Sequence, residues 1–206
     1  MSVEGWLVFV LFWVVFVTTP GPNAVNCISN GMSLGFRRSL PGVAAIMTQS
    51  ILFLSLSAAG ITALIAASPT GFQVAKLVGA CFLIYLGIRG WLLARQAVEP
   101  KPVDGKQIFW RAFWVATINP KSVAGYLAAF SQFVQPDVPI WQQMWIIVPS
   151  ALTITAASYC AYTALGAGLG RAALSAVFNV WLRRGLAACF VIYGVLLGTA
   201  ATPGRA

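Results

Sequence analysis

Two short sequences break otherwise apolar stretches and carry residue types that bind polar solutes. They are Pro20-Gly21-Pro22-Asn23 and Asn119-Pro120-Lys121. Proline has no backbone N–H and clashes with the preceding turn, so a helix interrupted by proline leaves backbone groups without partners. A helix that restarts after such a break points its N-terminus, which attracts anions, toward those groups. We therefore predict that both breaks bind substrate, a carboxylate being one suitable group; an ordinary proline kink is the alternative at each.

Lys121 is the charged residue that lies well inside an apolar segment. A charge within a membrane segment is costly and marks a functional site by default, so the Lys121 ammonium is a candidate to hold a substrate carboxylate. In the alternative interpretation the segment begins nearer Asn119 and the side chain extends to the membrane interface. The sequence leaves both interpretations open.

The composition predicts an integral membrane protein. Of its 206 residues, 59% are hydrophobic and 8% are charged, whereas soluble domains carry roughly 25% charged residues. Residues 39–75 contain no charged side chain, and about 20 apolar residues suffice to cross a bilayer. The net charge of +9 does not indicate a nucleic-acid partner, because the basic residues lie in short gaps between apolar runs. The lipid bilayer and a small solute are the expected partners.

Six apolar segments predict an all-α, polytopic fold with six transmembrane helices. They cover about residues 5–31, 41–67, 72–93, 108–134, 141–169 and 186–201. The first and fourth segments contain the two breaks, so helices one and four are expected to be broken. We predict a single transmembrane domain, with a polar loop at about 95–107 between a first half (about 1–95) and a second half (about 108–206). Residues 1–19 lack the basic start of a signal peptide and are predicted to be a retained helix.

The basic residues predict the orientation. Ten of them lie in or beside the odd-numbered gaps between segments: Arg37, Arg38, Arg89, Arg95, Lys101, Lys106, Arg111, Arg171, Arg183 and Arg184. The even-numbered gaps hold only Lys76 and Asp137. Basic loops remain in the cytoplasm, so both termini are expected outside.

The two halves resemble each other. With a shift of 98 residues, the stretch 17–25 matches 115–123 at four of nine positions, and these stretches contain the two breaks. With a shift of 108, the stretch 80–85 matches 188–193 at five of six positions. Three helices per half place the second half upside down relative to the first. This predicts two inverted three-helix repeats, an architecture in which interrupted helices at matching positions mark the substrate site.

Polar residues on the second and fifth segments complete the predicted site. Gln49 lies in a short polar group, and Tyr162 lies on a face with Thr155, Ser158, Tyr159 and Gly166 at helical spacing. These residues are predicted to line a polar path; hydrogen bonding between helices is the alternative. The predicted binding residues are Pro20, Gly21, Pro22, Asn23, Gln49, Asn119, Pro120, Lys121 and Tyr162.

These motifs resemble the signature of the lysine exporter (LysE/RhtB) family of amino-acid efflux proteins. The similarity rests on the breaks at 19–23 and 119–121, the basic turn at 35–38, and the stretches 83–87 and 130–133. The resemblance covers essentially the whole chain. It implies export of amino acids or related metabolites from the bacterial cytoplasm across the inner membrane, typically as antiport with protons. Many members have Asp where this chain has Asn23, and no Asp, Glu or His lies in a segment core, so the coupling ion is not predicted.

Two other functions compete with a secondary transporter. A membrane thiol-disulfide carrier is the first, because Cys81 and Cys189 occupy matching positions of the halves; a passive channel is the second. No GxxxxGK[ST] motif for ATP is present. The four cysteines lie in apolar segments without a CxxC and are expected to be packing residues. No enzymatic activity, cofactor or metal is predicted, and the oligomeric state, including a homo-oligomer, stays open.

Overall fold

The computed structural model describes residues 2–96 and 105–201, and within them the chain is all-helical. The helices are α1 (Val3–Thr18), α2 (Pro22–Ala67), α3 (Pro69–Leu92), α4 (Ile108–Thr117), α5 (Pro120–Phe133), α6 (Ile140–Leu169), α7 (Arg171–Val177) and α8 (Val180–Ala201). Short 3₁₀ turns cover Leu93–Arg95 and Gly105–Gln107. The expected all-α class is confirmed.

Both predicted breaks are present in the structure, and proline opens the helix that follows each of them. α1 ends at Thr18, and α2 begins at Pro22 after an extended Gly21. α4 ends at Thr117, and α5 begins at Pro120. The first position of a helix tolerates proline, because an N–H there would have no partner within the helix. The same residue that prevents continuation of one helix thus starts the next.

A second bend divides α2. Gly35 has φ 75° and ψ 171°, outside the helical region, and this left-handed φ strains any residue with a Cβ. The bend separates residues 22–34, here called the 22–34 arm, from residues 36–67, the 36–67 arm. The 22–34 arm follows the first break directly, so it is a short helix with a change of direction at each end.

Four helices are long and apolar enough to cross a membrane. They are Pro22–Ala67, Thr70–Arg95, Ile140–Leu169 and Val180–Thr199. Their outward surfaces are rich in large exposed side chains such as Trp145, Trp181 and Leu196, which suit a lipid environment. α1, α4 and α5 contain 16, 10 and 14 residues, fewer than the roughly 20 that a single crossing needs.

The helix boundaries differ from the expected ones mainly near α8. The sixth segment was expected from about residue 186, whereas α8 begins at Val180, and α7 was not expected. The side chain of Asn179 accepts hydrogen bonds from the N–H groups of Trp181 and Leu182. This cap allows α8 to begin before Arg183 and Arg184. The charges of these two residues are the reason why the sequence predicts a later start for the sixth apolar segment.

The basic gaps meet at one end of the molecule. The Arg183 guanidinium donates hydrogen bonds to the carbonyl groups of Leu93, Ala94 and Gln96, at 2.7–2.9 Å. The start of α8 thereby caps the end of α3. Gly105, just before α4, lies beside Leu34 at the bend of α2. The first, third and fifth gaps are thus neighbours.

A buried glutamine organises the opposite end. Gln143 of α6 is fully buried. Its side-chain amide donates to the carbonyl groups of Gln135 and Val138 and accepts from the N–H of Gln135. The turn between α5 and α6 is therefore closed by one side chain.

Helix α1 packs against the bundle through one face, while its other side, including Leu7, Leu11 and Val14, is exposed. Its residues Phe9, Phe12, Trp13 and Phe16 are buried, and Trp13 donates a hydrogen bond to Thr155 of α6 at 3.0 Å. Their rings contact Tyr126 and Phe133 of α5, and Phe190 and Tyr193 of α8. This aromatic packing fixes the end of α1, and with it the first break.

The 22–34 arm packs backbone to backbone on α6. A Cβ on Gly31 would lie 2.2 Å from the carbonyl oxygen of Thr163, and a Cβ on Gly166 would lie 2.3 Å from that of Ile28. No side chain fits at either position. The arm and α6 therefore form one closely packed pair.

Candidate functional site

A small cavity lies where the two breaks meet. Its walls come from α1, both arms of α2, α5 and α6: Phe16, Val17, Thr19, Gly21, Asn23, Ala24, Ile46, Gln49, Asn119, Lys121, Ser122, Tyr126 and Tyr159. The free space holds about one water molecule. The structure thus has the site in a closed form, with its polar side chains gathered around a narrow centre.

Five of the nine predicted binding residues line this cavity. They are Gly21, Asn23, Gln49, Asn119 and Lys121. Pro20 and Pro22 are their chain neighbours at the first break, and Tyr162 is bonded to the end of α1. Pro120 opens α5, and its side chain lies outside the described part of the chain. Residues from four distant segments are therefore brought together.

Lys121 connects the two breaks. Its ammonium donates a hydrogen bond to the carbonyl oxygen of Thr19 at 2.7 Å and lies 5.2 Å from the centre of the Phe16 ring. Its backbone N–H donates to the side chain of Asn119 at 3.1 Å. The acidic residues of the described ranges, Glu4 and Asp137, are not among the cavity residues. Among the residues that the structure describes, no carboxylate therefore lies beside the ammonium in the cavity.

Side chains of other helices donate hydrogen bonds to the carbonyl groups at the C-terminal end of α1. The last carbonyl groups of a helix have no partner within it. The Tyr162 hydroxyl of α6 donates to the carbonyl oxygen of Thr18 at 2.5 Å, and the Lys121 ammonium of α5 donates to the carbonyl oxygen of Thr19. The first break is thus stabilised by two side chains from the second half of the sequence.

Tyrosine and amide groups form the remaining polar wall. The side-chain amide of Asn23 donates to the hydroxyl of Tyr159 at 3.4 Å, and Tyr126 donates to Ser50 at 2.7 Å. All four residues are buried. The oxygen of Asn23 and the nitrogen of Gln49 have no hydrogen-bond partner in the described part of the chain. The cavity thus offers a free acceptor and a free donor in addition to the ammonium.

Ser122, Tyr126 and Tyr159 also line the cavity, although they are not among the binding residues predicted from the sequence. A signal for the first two exists, because Asn119, Ser122 and Tyr126 follow the i, i+3, i+7 spacing that places side chains on one helix face. Tyr159 belongs to the polar face predicted for the fifth segment.

The cysteines lie apart from the cavity. All four are free thiols: Cys27 is buried, Cys81 is exposed, and Cys160 and Cys189 are partly exposed. None is among the cavity residues. The structure gives no support to the thiol-disulfide carrier. Within residues 2–96 and 105–201, no group of three or more His, Cys, Asp or Glu side chains could hold a metal ion.

The sequence also has known relatives. The sequence model of the LysE type translocators matches residues 12–201. The chain belongs to this family. The resemblance drawn from the motifs is confirmed, and LysE-type translocators are efflux transporters.

Curated members of the family match over most of their length. An uncharacterized membrane protein of Vibrio cholerae is 32% identical over 203 residues, which are 97% of this chain and 99% of that protein. A homoserine/homoserine lactone efflux protein of Salmonella typhimurium is 26% identical over 97% of this chain and 98% of its own. A leucine efflux protein of Salmonella choleraesuis is 26% identical over 74% of each chain. No solved structure matches this chain.

Proposed function

We propose that this LysE-type translocator is a secondary transporter that exports an amino acid or a related small metabolite. The observation that carries the proposal is the cavity at the two breaks, which combines the Lys121 ammonium with free amide groups of Asn23 and Gln49. Relatives named for the efflux of homoserine, homoserine lactone and leucine support the same class of substrate.

The proposed binding mode pairs each end of a zwitterion with a different part of the cavity. An ammonium has three N–H donors, so Lys121 retains its bond to Thr19 while another N–H binds the substrate carboxylate. The N-terminus of the 22–34 arm, at Gly21 and Pro22, contributes its dipole to the same anion. The oxygen of Asn23 and the hydroxyl of Tyr159 accept from the substrate amino group. A closed cavity of one water's volume must widen to admit it.

We also propose the six-helix topology. α1 with the 22–34 arm, and α4 with α5, form two broken helices; the 36–67 arm, α3, α6 and α8 are the other four. Support comes from the matched breaks and from the meeting of the three basic gaps at one end. The basic end faces the cytoplasm of a bacterial inner membrane, and both termini lie outside. A topology reporter after Ala206 should report outside and one near Lys101 inside; a cytoplasmic C-terminus would contradict the inverted arrangement.

An efflux assay tests the function. Cells overproducing the protein are loaded with labelled leucine or homoserine, and the rate of loss is compared with that of cells lacking it. Lys121→Met should reduce the protein-dependent rate about 100-fold with normal amounts in the membrane, because the methionine removes the ammonium and retains most of the side-chain volume. Lys121→Arg should restore little, since a planar guanidinium places its charge differently.

Lys76→Met is the matched control for Lys121→Met. Lys76 lies on α3, with its ammonium 5.0 Å from the Phe72 ring and outside the cavity residues, so this variant should export at the parent rate. Equal export by Lys121→Met and the parent would exclude the proposed role of the ammonium.

Coupling to an ion gradient is the remaining part of the proposal. A coupled exporter lowers the internal concentration below the external one, whereas a passive channel only equalises the two. Export by energised cells against an excess of external substrate, and its loss after a protonophore, would support proton antiport. Equalisation in both conditions would favour the channel.

A further inference from the structure

Three buried asparagines form a row on the 22–34 arm. Asn23, Asn26 and Asn30 follow the i, i+3, i+7 spacing of a single helix face. They are 5%, 6% and 1% exposed. At 1.5 Å per residue the row extends about 10 Å along the helix axis. Asn23 lines the cavity, so the row begins at the candidate substrate site and leads away from it.

The row carries hydrogen-bonding groups that the closed structure does not use. The oxygen of Asn23, the nitrogen of Asn26 and the oxygen of Asn30 have no partner within residues 2–96 and 105–201. Buried polar side chains are normally hydrogen-bonded, and an unpaired one requires an explanation. Three in succession on one face indicate a surface that binds polar groups in another state of the molecule.

The far end of the row points to the basic end of the protein. Asn30 lies against Gly42 of the 36–67 arm, where an added Cβ would be 2.9 Å from its amide nitrogen. Gly42 also contacts Ile108, the first residue of α4, which follows the central basic loop. Gly42 of the 36–67 arm therefore lies against this end of the row, and Ile108 of α4 packs beside it.

The opposite flank of the arm is fixed. Gly31 and Gly166 hold the arm against α6 by backbone contact, and no such backbone contact is seen where Gly42 meets the amide of Asn30 and the side chain of Ile108. The atoms nearest to Gly42 there belong to the side chains of Asn30 and Ile108, whereas at Gly31 and Gly166 they belong to the backbone. The bend at Gly35 lies between the two arms, where a change of angle between them is accommodated.

We propose that Asn23, Asn26 and Asn30 line the cytoplasmic half of the substrate's route, an amide-lined passage for a small neutral or zwitterionic solute. The inference rests on the proposed function and extends it. The passage opens when the 22–34 arm, together with α6, separates from Gly42 and Ile108. Its lining contains both donors and acceptors but no fixed charge, so it favours solutes without a net charge.

Leucine substitutions test the passage by export. Asn26→Leu and Asn30→Leu keep the four side-chain heavy atoms and the branch at Cγ and remove the polar groups, and each should lower the efflux rate of labelled homoserine at least 10-fold. Because the substitution also removes unpaired buried groups, the amount of protein in the membrane and its thermal midpoint in detergent should be equal to those of the parent or higher. A purely structural role predicts loss of stability instead.

Ser29→Ala is the matched control. Ser29 is buried on the same arm, and its hydroxyl has no partner within the described residues. It lies at the edge of the face that carries the asparagines, turned about 60° around the helix axis from Asn26 and about 120° from Asn23. Its alanine variant should export at the parent rate. Stable Asn26→Leu and Asn30→Leu proteins that also export at the parent rate would overturn the proposed passage, and so would a stable Ser29→Ala variant that loses export to the same extent.

Thiol labelling distinguishes failure of the passage from failure of the function. In a chain with its native cysteines replaced, single cysteines at positions 26 and 30 should react with a membrane-impermeant maleimide in inside-out vesicles and not in whole cells, while a cysteine at Val25, on the opposite face, should react in neither. Absence of labelling at 26 and 30 in a chain that still exports homoserine would overturn the passage alone. Absence of homoserine and leucine export by the parent would overturn the proposed function, whatever the labelling.

Discussion

The two breaks are matched in sequence but are stabilised in different ways. At the second, Asn119 caps the helix that begins beside it by accepting the N–H of Lys121. At the first, the carbonyl groups of Thr18 and Thr19 depend on Tyr162 and Lys121, which are 144 and 102 residues away in the sequence. A break that is capped by its own residues keeps its conformation independently of the rest of the chain. The conformation of a break whose hydrogen-bond partners come from other helices changes when those helices move. We infer that the second break positions the ammonium and the first responds to it.

Removal of the first break should have the largest effect. In the variant with Pro20, Gly21 and Pro22 replaced by alanine, α1 and the 22–34 arm can join into one helix. Alanine is favoured in helices by about 1 kcal/mol over glycine and about 3 kcal/mol over proline. We expect a stable, inserted protein whose efflux falls more than 100-fold. Efflux at the parent rate would show that the first break is an ordinary kink.

Tyr162→Phe should weaken the first break without removing it. The carbonyl oxygen of Thr18 loses the hydroxyl that donates to it, and an unsatisfied buried acceptor costs about 1–3 kcal/mol. The thermal midpoint in detergent should fall and efflux should decline several-fold. Leu165→Ala, on the exposed side of α6, provides the comparison. An unchanged midpoint in Tyr162→Phe would mean that Thr18 does not need this partner.

Asn119→Ala should affect the second break less. It removes a helix cap worth about 1 kcal/mol and leaves the Lys121 side chain in place. We expect a slight fall in stability and efflux within about threefold of the parent. A loss as large as that of the triple-alanine variant would mean that the second break does more than position the Lys121 side chain, and the proposed difference between the breaks would be wrong.

Replacement of all four cysteines should have the smallest effect. None of them lies at either break or in the cavity. Export should persist, with some loss of expression because Cys27 is buried in the core. An inactive protein that is present in normal amounts would revive the thiol-disulfide alternative.

The features that the sequence predicted well are either local or implied by the internal repeat. Proline stops one helix and starts the next wherever it occurs, so the breaks at Pro20–Pro22 and Pro120 followed from chemistry within a few residues. The positions of Gly21, Asn23, Asn119 and Lys121 in one cavity followed from the repeat, which implied that the two breaks meet.

The features that the sequence did not predict depend on three-dimensional packing. Arg183 was interpreted as loop charge, whereas its guanidinium caps α3 across 87–90 residues of sequence. Tyr126 shares a helix face with Asn119, but this spacing does not reveal which neighbours that face meets. Asn26 and Asn30 were passed over for the same reason, although their spacing from Asn23 was visible. The partners of a polar group in a membrane helix are set by neighbours that local periodicity does not identify.

The remote partners of the first break also impose an order on biosynthesis. In a chain synthesised at about 5–20 residues per second, Thr19 is made on the order of 5–20 s before Lys121, since 102 residues separate them. Tyr162 follows still later. Throughout that interval the end of α1 has neither of the side chains that complete its hydrogen bonds. The hydrogen bonds at the end of α1 therefore form only after the second half of the chain has been synthesised and has packed against the first.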